Sequence, residues 1–217
     1  MRRPITTSVL SACAVAVVLG GCAGGDDGAP PPAADPASDG SGAAARSSST
    51  GAGAGELTAR LVDPEGGEVG VATLTEVAGG TQVDVRVTGL PPGSHGLHVH
   101  AVGRCEPDSP SPADPTMTGD FLSAGAHVGA GEADHGAHAG DLPPLYVTEE
   151  GTGTLTVVTD ALTRDQLTDE DGSAVVVHAG RDNYANVPER YAAGGPDETT
   201  RNTGDAGGRI ACGAVEG

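Results

Sequence analysis

Apolar and polar residues alternate with a period of two in several short segments of the chain. This alternation is typical of β-strands that bury one face and expose the other. Gly-rich turns, PEGGE and AGGT, separate the first three segments, which indicates antiparallel hairpins. The pattern predicts strands at 57–63, 69–77, 81–90, 95–102, 145–149, 153–162, 174–180 and 209–215.

Two long segments without periodicity interrupt these strands, at 103–142 and 181–208. Both are rich in Gly, Pro and Asp, and no convincing helical pattern lies between the strands. Eight strands without helices predict an all-β antiparallel barrel or sandwich. Long loops in a compact domain are usually either functional or disordered, and we expect these two to carry function.

The N-terminus has the pattern of an export signal. Arg2 and Arg3 precede an apolar run at 9–19, which is too short to span a bilayer as a mature helix. The run ends in LGGC, which resembles the bacterial lipobox, so we predict a signal peptide at 1–21 and lipidation of Cys22. The alternative is an ordinary signal peptide cut nearby, with Cys22 incidental.

The segment that follows consists almost wholly of Gly, Ala, Ser, Pro and Asp and cannot bury enough apolar surface to fold. We therefore expect a flexible tether at 22–55 and one folded domain at 56–217. The predicted location is the bacterial cell envelope, with the protein anchored by lipid to the outer face of the cytoplasmic membrane. The net charge of −19 argues against nucleic acid as a partner.

The four cysteines divide by position. Cys13 lies in the signal peptide and Cys22 is the predicted lipidation site, which leaves Cys105 and Cys212 in the folded domain. An even pair in an exported domain predicts a disulfide. Two unpaired thiols are the alternative.

Seven histidines are distributed unevenly along the chain. His98 and His100 point to the same side of a strand and His95 to the other. A lone HxH pair is as often a surface or core feature as a metal site. Four further histidines lie in the first long loop or at a strand end, and imidazole-rich sites suit copper and zinc. These four are His127, His135, His138 and His178.

Five motifs occur in a specific order: GSHGLHVHAVG, FLSAGAH, HAGDL, AVVVHAGRDN and TGDAGGRIACG. Together they resemble the copper/zinc superoxide dismutase family, in its exported bacterial lipoprotein form, over most of 56–217. The resemblance implies an eight-stranded Greek-key barrel with two functional loops. It also implies an enzyme that disproportionates superoxide to oxygen and hydrogen peroxide and protects the cell envelope. The implied partners are superoxide and a membrane, with a homodimer as one alternative for assembly.

The resemblance assigns roles residue by residue. It implies that the copper ligands are His98, His100, His127 and His178, and that the zinc ligands are His127, His135, His138 and Asp141. It makes Asp182 the carboxylate that links the two sites, Arg209 the arginine that attracts the anion, and Thr203 a residue of the channel. His127 and Arg209 would be catalytic, Cys105 and Cys212 would form the family disulfide, and His95 would be structural.

Two departures from the family pattern affect the zinc assignment. Residues 128–130 read VGA where the family typically has Phe-Asn-Pro, and only two residues separate His135 from His138. A solvated His- and Asp-rich loop is the alternative to a zinc site. Asn202 stands where some relatives carry lysine, and Arg201 either substitutes for it or is an exposed loop arginine. The rival function is copper binding or buffering in the envelope without turnover. A third hypothesis is a purely structural sandwich with a His-rich loop.

Overall fold

A computed structural model describes residues 55–217. The predicted signal peptide, the lipidation site at Cys22 and the tether as far as residue 54 lie outside the described residues. In the described part of the chain, no helix is long and apolar enough to cross a bilayer.

Ten strands occur in the described residues, and eight of them close one antiparallel barrel in the order β1-β10-β9-β4-β7-β8-β3-β2. The connection from β3 to β4 passes over the β7–β8 pair, which is a Greek-key arrangement. The all-β, eight-stranded fold is therefore confirmed. The strands are β1 (Glu56–Val62), β2 (Glu68–Val77), β3 (Gly80–Val87), β4 (Gly93–His100), β5 (Ser109–Pro110), β6 (Thr118–Gly119), β7 (Asp141–Val147), β8 (Gly153–Thr159), β9 (Ala174–His178) and β10 (Arg209–Glu216).

β7 begins four residues earlier than the sequence pattern predicts. The pattern missed this start because Pro143 and Pro144 lie in the first half of the strand. Proline cannot donate to a sheet and normally marks an edge. β7 pairs with β4 along most of its length but with β8 only at Val147, so these prolines lie where fewer ladder donors are needed. The start at Asp141 is important, because it places this carboxylate beside His98 in the sheet.

The prediction that the domain has no helix was wrong in detail. A 3₁₀ turn lies at Leu122–Ala124, and two short helices, α1 (Arg164–Leu167) and α2 (Glu198–Thr203), lie outside the barrel. α1 begins with a capping box between Thr163 and Gln166, and the Asp197 side chain caps α2. Caps of this kind satisfy the free N–H groups of a first helical turn.

The barrel core lies between the inward faces of the strands. Leu97 and Val99 of β4 and Val175 and Val177 of β9 belong to one fully buried apolar cluster. A second cluster lies on the outer face of β9 and β10, where residues 103–125 cover it. Its buried members are Phe121, Ala124, Ala174, Val176 and Cys212. Burial on both faces explains why AVVV is a continuous apolar run.

The predicted disulfide is present: Cys105 is bonded to Cys212, 107 positions away. Cys212 lies in β10 and Cys105 in the first long loop, so the bond ties that loop to the barrel wall. The alternative of two unpaired thiols is thereby excluded. The same loop contains a short antiparallel pair of two-residue strands, β5 and β6, which the sequence pattern did not predict.

Candidate metal centre

The histidines of β4 project away from the barrel core. Leu97 and Val99 fill the core, so the intervening His98 and the following His100 face outward, yet both are buried because the long loops cover them. β9 lies beside β4 and brings in His178, which is its last residue. His127 reaches the same place through a backbone bridge to His100.

One nitrogen from each of these four rings lies within 4.8 Å of the others; the rings are His98, His100, His127 and His178. The second nitrogen of three of them has a hydrogen-bond acceptor. Nε2 of His98 donates to Asp182 Oδ2 at 2.7 Å, and Nδ1 of His100 donates to the Gly125 carbonyl at 2.8 Å. Nδ1 of His178 donates to the Gly207 carbonyl at 3.0 Å. These bonds leave lone pairs on His98 Nδ1, His100 Nε2 and His178 Nε2.

An unpaired buried nitrogen is independent support for a metal among these four rings. His98 Nδ1 is buried and has no hydrogen-bond partner in the described part of the chain, which is costly unless another group binds it. Nε2 of His100 and Nε2 of His178 lie 3.4 Å apart without an acceptor between them. Convergent imidazole nitrogens of this kind suit copper.

A second group of ligand atoms surrounds the Asp141 carboxylate. Nδ1 of His127 lies 2.9 Å, and Nδ1 of His135 lies 3.1 Å, from Asp141 Oδ1. Nδ1 of His138 lies 3.3 Å from Asp141 Oδ2 and 3.4 Å from His127 Nδ1. Ligands about 2.0–2.2 Å from a tetrahedral zinc are roughly 3.3 Å apart, so these separations are those of a zinc site.

His135 and His138 present the correct nitrogen to this group. Nε2 of His138 donates to the Ala133 carbonyl at 3.0 Å, and Nε2 of His135 donates to Asp182 at 2.8 Å. Nδ1 of His135 is buried without a hydrogen-bond partner in the described residues, although it is close to Asp141. His135 Nδ1 and Asp141 Oδ1 approach each other without the angles of a hydrogen bond. This is the arrangement expected of two atoms that bind the same cation.

Burial and neighbouring charges shift the pKa values of these rings in different directions. Burial lowers the pKa of His178 to about 3 and that of His127 to about 4, and it holds the pKa of His100 well below its usual value. Burial also disfavours the charged form of His135, but the adjacent Asp141 carboxylate and the hydrogen bond to Asp182 outweigh it and raise its pKa to about 9. His100, His127 and His178 are therefore neutral at pH 7, whereas His135 favours the protonated form.

Comparison with known proteins identifies the family. A profile described as copper/zinc superoxide dismutase (SODC) matches residues 68–215. A protein named superoxide dismutase [Cu-Zn] from Mycolicibacterium paratuberculosis is 40% identical over 231 residues, which cover 99% of each chain. The chain belongs to the copper/zinc superoxide dismutase family.

Other relatives agree with this assignment. The protein of the same name from Mycobacterium tuberculosis is 40% identical over 97% of this chain and 94% of its own. The solved copper/zinc superoxide dismutase of Brucella abortus has a TM-score of 0.56 and 30% identity, covering 74% of this chain and 99% of its own. Copper and zinc are the metals of this family, and the two ligand groups of this member fit them.

In this superoxide dismutase family member, Arg209 lies in the wall of a cavity of about 780 Å³. His127 and His178 line the same cavity. The Arg209 guanidinium donates through Nη1 to the Phe121 carbonyl and through Nη2 to the Gly125 carbonyl, the latter at 2.7 Å. Burial lowers the Arg209 pKa to about 10, so the group remains a cation at neutral pH.

The structure also places the residues about which the sequence left alternatives. Thr203 lines the cavity, as the family resemblance implied, and its hydroxyl donates to the Thr199 carbonyl at 2.9 Å. Arg201 is absent from the cavity lining: its Nη1 donates to the Pro196 carbonyl at 2.6 Å and its Nε lies 3.8 Å from Asp134. Arg201 therefore joins the two long loops and does not replace the channel lysine of some relatives.

His95 lies outside both ligand groups. Its Nδ1 is 2.8 Å from the His178 carbonyl and its Nε2 is 2.9 Å from the Pro91 carbonyl. The ring thus connects the end of β9 to the segment before β4, which agrees with the structural role that the resemblance implied.

Sequence reasoning missed the backbone groups that complete the centre. The carbonyls of Phe121, Gly125 and Gly207 orient Arg209 and two histidines, and no side-chain signal marks them. Gly204 was also missed: a Cβ there would collide with Asp182 Oδ1 and His135 Nε2. Glycine is required because the backbone at 204 lies directly against the bond between these two residues.

Proposed function

We propose that this protein is a copper- and zinc-dependent superoxide dismutase, which converts superoxide to oxygen and hydrogen peroxide. One observation carries the proposal. The His127 ring takes part in both ligand groups and lines the cavity that also contains the Arg209 cation. A redox metal, a structural metal and an anion-attracting side chain therefore have places around one ring.

The proposed copper ligands are His98, His100, His127 and His178. The proposed zinc ligands are His127, His135, His138 and Asp141, whose ligand atoms lie close together. Copper bound there supplies the change of oxidation state that electron transfer to and from superoxide requires. The protein holds three of the copper-ligand rings, those of His98, His100 and His178, in one tautomer through Asp182, Gly125 and Gly207, so these ligand atoms are oriented in advance.

Arg209 attracts and orients the substrate. Its two bonds to backbone carbonyls hold the guanidinium plane in place at the cavity wall. A fixed cation in a partly water-excluded cavity raises the local concentration of an anion, even though the net charge of the chain is −19. The field near the cavity matters more to superoxide than the charge of the distant surface.

His127 is suited to proton delivery. Formation of hydrogen peroxide takes up protons, and a proton held at Nε2 of His127 would lie in the cavity that Arg209 lines. Burial lowers the pKa of this ring to about 4, so a proton on it is released far more easily than a proton on hydrogen peroxide. The protonated ring would therefore give its proton readily to a peroxide anion.

Superoxide consumption by the copper-loaded protein tests this function. We expect activity that His98→Ala abolishes, because this change removes a ligand atom that is buried without another partner. Full copper binding with no turnover would instead support the rival function, copper buffering. No observation in the described residues favours that rival, since all four proposed copper ligands and Arg209 are in place.

We also propose that Cys22 is lipidated and that the protein acts in the cell envelope. The support is the sequence LGGC after an apolar run, followed by a segment with the composition of a tether. Labelling with a fatty acid and cell fractionation test the anchor, and a Cys22→Ala protein labelled to the wild-type level would refute it. Light scattering on the purified domain distinguishes a monomer from the proposed alternative, a homodimer.

A further inference from the structure

Two consecutive non-glycine residues of the second long loop adopt left-handed backbone conformations. Tyr184 has φ 56° and Ala185 has φ 52°. This region is strained for a residue with a Cβ, especially a bulky one. Such conformations persist where contacts with the surrounding residues impose them.

Hydrogen bonds and a close backbone approach hold the segment at Tyr184 and Ala185 beside the proposed zinc ligands. Its N–H donates to Asp182 Oδ1 at 2.7 Å. The following N–H, of Ala185, donates to Asn183 Oδ1 at 2.8 Å. The Tyr184 carbonyl lies 3.0 Å from the point where a Cβ on Gly136 would stand, so the two loops meet backbone to backbone.

This backbone geometry directs the Tyr184 ring toward His135. The two ring centroids are 6.3 Å apart and the planes differ by only 19°, which is an offset stack. The His135 side chain is completely buried, whereas Tyr184 is 39% exposed. The Tyr184 ring therefore stands between His135 and solvent.

We propose that Tyr184 is a positioning residue: its ring covers His135, keeps Nδ1 of that imidazole directed at Asp141, and slows the escape of zinc. This inference rests on the proposed metal-dependent function and deepens it. The ring has no place in the cavity lining beside Arg209, so it acts on metal retention rather than on the reacting oxygen atoms.

The test compares zinc release from four proteins in the full domain, using a colorimetric chelator in excess. Tyr184→Ala removes the ring, and we expect release to be about tenfold faster or more, the scale for loss of groups that orient metal ligands. Tyr184→Phe keeps the ring and should release zinc at the wild-type rate. Tyr191→Ala is the matched control, because this second loop tyrosine is 77% exposed and stacks under Arg190 instead.

A Tyr184→Gly variant separates the ring from the backbone. Glycine accepts the left-handed conformation without strain, so this protein should fold at least as well as wild type. We nevertheless expect it to lose zinc as fast as Tyr184→Ala. Wild-type retention in Tyr184→Gly would overturn the proposal, since it would show that only the backbone bond to Asp182 matters.

Cobalt binding provides a readout that does not depend on activity. Co²⁺ added to the wild-type protein should give the intense visible bands of a tetrahedral site, and the loss of the Tyr184 ring should weaken or shift them. A wild-type protein that binds neither Zn²⁺ nor Co²⁺ in this way would overturn the proposal. Superoxide turnover by the copper-loaded protein, measured separately, would still stand in that case.

Discussion

Asp182 and His98 lie 84 positions apart in the chain, yet Oδ2 of the carboxylate is 2.7 Å from Nε2 of the ring. Both side chains are almost completely buried. The same carboxylate also accepts from Nε2 of His135 at 2.8 Å. One loop aspartate thus orients a ring of each ligand group, so the two metal sites are mechanically connected.

The first prediction follows from this shared carboxylate. Asp182→Asn removes the negative charge and replaces one acceptor oxygen with an NH₂ group, which would face an N–H donor of Tyr184 or of one of the two imidazoles. We expect zinc affinity to fall by about 10- to 100-fold, measured by chelator competition. The matched control is Asp84→Asn, a half-buried β3 carboxylate bonded to Thr156 and Gln82 and remote from the histidines. Equal zinc affinity in wild type and Asp182→Asn would show that the bridge is unimportant.

The second prediction concerns the charge of Arg209. Arg209→Glu should lower the rate constant for superoxide by at least about tenfold at low ionic strength, while copper content stays unchanged. Arg209→Lys should lose less, because it keeps the charge but cannot bond both the Phe121 and Gly125 carbonyls. Stopped-flow decay of superoxide measures these rates.

A control tests whether this effect is local. Arg60→Glu makes the same change in net charge at an exposed position of β1. When both variants are measured at the same physiological salt, Arg60→Glu should lower the rate far less than Arg209→Glu, because surface charges beyond about 8 Å are screened. Equal losses in Arg60→Glu and Arg209→Glu would refute local steering.

Strand alternation was enough to predict the barrel, because burial on one face imposes a period of two. It did not predict the start of β7, because Pro143 and Pro144 obscure the pattern in a strand that pairs fully on one side only. The short helix α2 was missed for another reason: its six residues are too few to show a helical period. Its signals, the Asp197 cap and Gly204 at its end, were nevertheless in the sequence.

The candidate site divides in a similar way. The family motifs brought out every side chain of the two proposed ligand groups, because histidine and aspartate have distinctive chemistry at distinctive spacings. The contacts of Tyr184 and Gly204 could not be predicted, because they depend on how closely two irregular loops approach. No local pattern encodes the distance between segments that lie 47 positions apart, as His135 and Asp182 do.

The third prediction is that the stability of the metal-free protein peaks near neutral pH. Burial lowers the pKa of His127 to about 4 and of His178 to about 3. The unfolded chain, with histidine pKa values of about 6.5, binds more protons below that pH, so stability falls as the pH drops. His135 has the opposite sign: its pKa of about 9 stabilises the fold below about pH 6.5, and this contribution is lost as the pH rises through 9.

Thermal unfolding in a metal chelator at constant ionic strength, from pH 4.5 to 9.5, checks this profile. We expect the highest Tm between about pH 6 and 7.5, between the pKa values of the two classes of ring. His135→Gln should flatten the alkaline side and leave the acid side. A wild-type Tm that rises steadily up to pH 9 would contradict the assignment for His135.

The fourth prediction concerns Gly204 and separates two reasons why a glycine is needed there: its left-handed backbone and its contact with the Asp182 and His135 side chains. This residue has φ 58°, and a Cβ would collide with Asp182 and His135, so Gly204→Ala must displace the bond that joins them. Gly194 has φ 90° in the same loop with nothing within 4 Å of a Cβ, so Gly194→Ala carries the conformational cost alone, about 1 kcal/mol. We expect Gly204→Ala to lower Tm further than Gly194→Ala and to release zinc at least about tenfold faster. If the two alanine variants lose Tm and zinc equally, the close approach at Gly204 does not stabilise the centre.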